Sequence, residues 1–290
     1  MSWFANLFGK KAHSEPRKPR LELLQLEDRV VPSTVVGDFS TGVWRYEPST
    51  GWQHLTTAHA SLLAAGSNGE VVGEFSTGVW RYKDSTGWQH LTWANASKLD
   101  IATYGDVVAD FQGWGVYRYE DSTGWQHLTW SDASEVHIDY RGDVVGEFQG
   151  GGVWRYEDWT GWQQLTSANA SHLGIAGNGN VVGDFQGSGV WRFEDSTGWQ
   201  HLTWADASSL SIDGYGNVVG DFQGWGVYRY EDYTGWQHLT WYDSSQVGIS
   251  SSTYYGEVVG EFQGGGVWEY NDYTGWTQLT SADASHLAFA

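Results

Sequence analysis

Four places in the chain set a tryptophan two residues ahead of a carboxylate or amide: Trp93 with Asn95, Trp130 with Asp132, Trp204 with Asp206 and Trp241 with Asp243. Two further tryptophans, Trp114 and Trp225, stand inside Gly-rich turns within the shared string QGWGVYRYED. An exposed indole offers a flat apolar face to the C–H side of a sugar ring, and a nearby carboxylate or amide can bond its hydroxyls. These ten residues form the candidate ligand-binding set. The same indoles could instead pack between neighbouring elements, so everything turns on their exposure.

Catalytic signals are absent. The chain holds no Gly-x-Ser-x-Gly, no His-Glu-x-x-His and no phosphate loop, and the reading is of a non-enzymatic protein without cofactor. Zero cysteines exclude disulfides, thiolate metal sites and a cysteine nucleophile. The histidines of the Gln-His-Leu strings (54, 90, 127, 201, 238) lie on five different blades, too far apart to share one metal. The acidic turns Asp139–Asp143 and Asp213–Asn217 have too few oxygens for a dedicated calcium cage and read as ordinary turns. Asp100 and His137 are singletons, expected as neighbours in a central channel.

These residues sit on a repeat. The pair Gly-Trp places tryptophan at 52, 88, 125, 162, 199, 236 and 276, giving seven units of about 37 residues. Each unit alternates four short runs rich in Val, Ile, Trp and Tyr with turns of Gly, Asn, Asp or Ser, as in SLSID, VVGDF, VYRYE and WQHLT. Four antiparallel strands per unit, here a to d, repeated seven times, predict an all-β, seven-bladed β-propeller. The first unit opens on strand b at Val35, and the last ends on a surplus strand a, His286–Ala290. HLAFA is therefore expected beside Val35–Phe39, closing the ring three plus one. Units two to four resemble units five to seven, so ligand sites should come in pairs.

Strand direction sorts the loops. Connections b–c and d–a emerge on one face, a–b and c–d on the other. The candidate indoles all fall in the first set. Thr57, Ser167 and Ser281 replace the d–a tryptophan in blades one, four and seven, leaving sites on blades two, three, five and six. Aromatics on the other face (Trp159, Tyr233, Tyr273 and the a–b tyrosines) compete for the assignment.

Fixed repeat positions read as structural. The Gly-Trp indoles are expected between blades. Arg45, Arg81, Arg118, Arg155, Arg192 and Arg229 hold one repeat position and Asp38, Glu74, Asp110, Glu147, Asp184, Asp221 and Glu261 another, which predicts a bond network. Pairing Phe39 with Val43 would set Gly37 opposite Arg45, the glycine leaving room for the guanidinium. The acid would then accept from an indole N–H or from a neighbouring blade.

Charge narrows the partners. The 290 residues carry a net charge of −20, yet residues 1–33 are net +2. The remainder is net −22 with nine basic residues, a body that repels phosphate backbones and argues against nucleic acid. No apolar run approaches the ~20 residues of a membrane span.

The pattern W-x-x-L, L-x-I, G-x-V-V-G and G-V-x-R-Y over residues 35–290 resembles the tectonin/tachylectin type of lectin propeller. That resemblance implies carbohydrate binding at the blades, with a glycan or surface polysaccharide as partner; a structural or protein-interaction scaffold at the cell surface is the alternative. Arg17–Arg20, then LELLQLEDR and VVPS, is similar to the leader of planctomycete extracellular and surface proteins. It implies an extracellular or cell-surface location, with residues 1–33 as leader and 34–290 as propeller.

Overall fold

The computed structural model describes residues 34–250 and 256–289, so the leader and Ala290 lie outside the described residues. The described chain forms seven four-stranded antiparallel sheets, each ordered a-b-c-d. Blade one joins Val35–Phe39, Gly42–Glu47 and Gly51–Thr56 to the C-terminal strand His286–Phe289. Val35 pairs with Phe289 and Asp38 with His286, so the ring closes three plus one. No helix among the described residues is long and apolar enough to cross a membrane.

Alternate side chains of each b strand point to opposite neighbours, as the two-residue period demands. Val36 packs with Ala65, Val71 and Phe75 of blade two, whereas Val35 packs with Val259 and Val267 of blade seven. The apolar core is thereby divided among the junctions between blades. Each Gly-Trp indole fills such a junction and donates its N–H backwards to a d-strand carbonyl, as from Trp125 to Leu91 at 3.1 Å and from Trp52 to Leu279 at 3.0 Å. The Trp52 bond spans the closing seam.

The b–c register differs by one residue from the expected pairing. Phe39 pairs with Gly42, Gly37 with Trp44 and Val36 with Arg45. Gly42 is already strand and takes φ +106°, which lets it begin the return closer to the turn than a side-chain-bearing residue would. Gly37 therefore does not make room for a guanidinium. A Cβ there would sit 2.5 Å from the Phe39 ring, so the glycine admits the aromatic edge that Trp52 meets at 5.1 Å.

Arginine instead reaches the next blade. Arg118 Nη1 donates to the Gly142 carbonyl at 2.7 Å and Nη2 to Asp158 at 2.7 Å, both on blade four's a–b and c–d turns. Arg45, Arg81, Arg155, Arg192 and Arg229 repeat the arrangement with Asp84, Asp121, Asp195, Asp232 and Asp272. Each guanidinium also lies over an aromatic ring of that next blade, Arg45 over Tyr82 for instance. The acid column accepts no indole N–H; Asp110 takes the Ser97 hydroxyl of its own blade and the Ala133 N–H of blade four.

The seam between blades seven and one departs from this rule. Glu269 stands where the other blades have arginine, and Pro48 where the others have the accepting aspartate. Burial, then the nearby Glu257 charge, pushes the Glu269 carboxyl up to about 7. Donor and acceptor were replaced together, at the one junction whose a–b connection is interrupted by the chain termini.

Candidate functional site

The b–c and d–a loops do share a face. Asp132, in the d–a loop after blade three, accepts from Gly113 N at 2.8 Å and Gly115 N at 3.1 Å in that blade's b–c turn. Asp206 and Asp243 hold Gly187, Gly189, Gly224 and Gly226 in the same way. These carboxylates are thus already engaged as turn clamps, a role the sequence assigned to ligand hydroxyls. Asn95 differs: blade two has a shorter b–c turn, and Asn95 makes no such bond to it among the described residues.

The indoles themselves are open. Trp93, Trp130, Trp204 and Trp241 are 70–74% exposed, and Trp114 and Trp225 are 64% exposed. Each d–a indole packs at a tilt against the histidine of its own d strand. Trp130 lies 4.0 Å from His127 between ring centroids, and His127 lies 4.8 Å from Tyr117. Blade six repeats the stack as Trp241, His238 and Tyr228 at 4.0 and 4.7 Å. Blades two and five carry Trp80 and Trp191 in the tyrosine's place. The histidines are therefore platforms that hold indoles outward. Their signal lay in the sequence, since HLTW in these four blades becomes QLTS in blades four and seven.

Blades three and six carry a second feature. In the other blades the c-strand residue facing the turn is tryptophan, its N–H bonded to the turn, as Trp44 to Thr41 at 2.9 Å and Trp154 to Gly151 at 2.8 Å. Tyr117 and Tyr228 are smaller and replace it, while the turn gains Trp114 or Trp225. The exchange leaves a cleft of about 340 Å³ against blade five, lined by Thr203, Ala205, Phe222, Trp225, Tyr228 and Trp236.

Asp100 and His137 meet in the central channel, His137 Nδ1 lying 3.3 Å from Asp100. The sequence reading missed Lys98 and Glu135, which extend the cluster: Lys98 Nζ lies 3.1 Å from Glu135. Burial alone would discharge His137, but hydrogen bonds and charge from Asp100 and Glu135 raise it to about 10. Glu135, pushed up by burial, is held down to about 2 by His137 and Lys98. Asp100 also accepts from the Ile101 and Ile138 amides, so its oxygens pin two blades together. The acidic a–b turns are likewise self-satisfied: Asp139 accepts from the Arg141 and Asp143 amides, and Asp213 from Tyr215 and Asn217.

On the opposite face, Tyr104, Tyr140 and Tyr215 are 47–73% exposed at a–b turns, and Trp159, Tyr233 and Tyr273 are 79–93% exposed at c–d turns. The c–d aromatics occupy three separate blades and have no partner indole from a d–a loop beside them.

No family model and no curated protein matches the chain. Solved structures match its fold. The WD40 repeats of RRP9 align with TM-score 0.61 at 9% identity, covering 79% of this chain and 83% of that one. The β-propeller domain of Cps50 (Swd1) from Myceliophteria thermophila gives 0.57 at 11%, covering 84% and 94%. YCF48, solved bound to D1 peptide, gives 0.53 at 12%, covering 78% and 83%. Likeness at this identity shows the seven-bladed propeller fold.

Proposed function

We propose that the chain is a non-enzymatic protein-interaction scaffold that docks a peptide or protein on its b–c/d–a face. One observation carries this reading. Six indoles are held outward on that face while the carboxylates beside Trp130, Trp204 and Trp241 are engaged by turn amides. Among the described residues every exposed tryptophan except Trp159 lies on this side, and such a gathering of indoles marks an interaction surface. With those carboxylates engaged by turn amides, the indoles beside them suit apolar and backbone contacts better than a hydroxyl-rich sugar. That a neighbouring propeller was solved with a peptide bound agrees with the class of partner. A cell-surface setting, implied by the leader, belongs to the same proposal.

Lectin-like binding of a glycan is the second reading, and Trp93 with Asn95 favours it. There the amide remains available next to an indole stacked at 4.1 Å on His90. Arrays of peptides and of glycans probed with the wild-type chain and a variant carrying Ala at Trp93, Trp130, Trp204 and Trp241 separate the two. Peptide signals lost in the variant support the scaffold; glycan signals alone, lost in the variant, replace it with the lectin.

A further inference from the structure

The polypeptide uses up its own positive charge. All nine basic residues of the propeller are ion-paired. Six are the buried arginines of the inter-blade bonds. Lys83 lies on Asp121, Lys98 on Glu135 and Arg141 on Asp139. Against them stand 31 acidic residues, so the propeller carries a net charge of −22. On this surface sit two copies of one aromatic arrangement. The cleft lined by Phe222, Trp225, Tyr228 and Trp236 is matched by Phe111, Trp114, Tyr117 and Trp125, three blades earlier. Ring separations agree: Phe222 to Tyr228 is 5.8 Å and Phe111 to Tyr117 is 5.7 Å, while each phenylalanine lies 5.3 Å from its Gly-Trp indole. Thr203 and Ala205 of the preceding blade border the arrangement on blade six, and Thr92 and Ala94 hold the matching repeat positions ahead of blade three.

Aromatic faces attract a cation and repel a carboxylate, and the attraction grows as the cation leaves water. Carboxyl groups at the same rim, Asp206 and Asp243, clamp the turns. A negative field with aromatic walls selects the long side chains of lysine and arginine, whose stems are apolar and whose heads are cationic. We propose that this cleft on blade six and the matching aromatic cluster on blade three are paired receptors for the cationic side chains of a Lys/Arg-rich peptide segment. This rests on the scaffold reading and names its partner class. Two such aromatic sites on one ring would bind a long basic segment more tightly than either alone.

The test is a calorimetric titration of the full chain with a twelve-residue peptide of alternating Lys and Gly, and with its Glu-Gly counterpart, at low and at moderate salt. Trp114→Ala and Trp225→Ala leave net charge unchanged, so attraction by the general field survives them while capture at an aromatic site does not. Thermal melting confirms that the variants, altered at exposed turn positions, stay folded. The expected result is binding of the Lys peptide only, weakened about three- to tenfold by each substitution and by more in the double variant. Equal affinity of wild type and double variant, or no binding of the Lys peptide at low salt, overturns the proposal. If neutral or acidic peptides bind the indole face on the arrays while the Lys peptide fails here, the scaffold reading stands and the cation sites fall. If only glycans bind, both fall.

Discussion

The two faces of the ring use one repeat for opposite purposes. At the a–b/c–d end, each of six junctions locks a buried arginine to the next blade's turns through both of its Nη groups. At the b–c/d–a end, turn clamps and histidine platforms hold indoles away from it. What separates them is the residue at each position, since the backbone repeats. The seam sharpens the contrast: there the locking face loses both arginine and aspartate, and closure falls to the pairing of His286–Phe289 with Val35–Asp38.

Breaking the seam should have the largest effect. Removing residues 286–290 strips blade one of its inner strand and exposes Val35 and Val36, both fully buried. We expect loss of cooperative thermal unfolding or a melting temperature lower by more than about 10 °C. An unchanged melt would contradict the closure. Next comes a lock. Arg118→Met leaves the Gly142 carbonyl without its donor and should cost roughly 1–3 kcal/mol, read as a melting temperature several degrees lower with no change in partner binding.

Protonation tests the seam from another side. Burial and the Glu257 charge raise Glu269 to about 7, and burial with the Asp283 charge raises Glu261 to about 7, both from an ordinary 4.5. The folded state holds these protons more tightly than the unfolded chain. Their contribution is therefore full below about 4.5 and is lost as pH rises through about 7. Asp143 and Asp213, raised by burial to about 6, and His137, raised to about 10, act in the same direction. Melting temperature should fall by several degrees between pH 5 and 8, and Glu269→Gln should flatten part of that slope. A rise over this range would contradict the assignment.

The smallest effect is expected at a clamp. Asp132→Ala frees the Gly113 and Gly115 amides to water and should cost about 1 kcal/mol, leaving partner affinity unchanged. Unaltered stability with lost binding would return Asp132 to the ligand-contacting set.

Much of this was legible in sequence because it repeats. Strand order, blade number, the closing strand and the shared face of the loops followed from the spacing of Gly-Trp and the direction of four strands. Two kinds of information did not follow. The b–c register depended on Gly42 entering the strand at positive φ, a backbone choice that residue type permits without requiring. The work done by Asp132, Asp206 and Asp243 depended on which loop lay above them, since a carboxylate two residues from an indole looks the same whether it faces ligand or a turn amide. The Lys98–Glu135 extension was missed because each residue occurs on only one blade. The paired aromatic sites were half visible: Trp114 and Trp225 stood out, but the exchange of tryptophan for Tyr117 and Tyr228 gains meaning only once both side chains share a turn.

The central claim is that docking belongs to one face. The most direct measurement compares affinity for an array-selected peptide or protein between two variants. One carries Ala at Trp93, Trp130, Trp204 and Trp241; the other carries Ala at Trp159, Tyr233 and Tyr273 on the opposite face. The account predicts that the first loses at least tenfold in affinity while the second binds like wild type. Equal loss in both, or loss confined to the second, would contradict it.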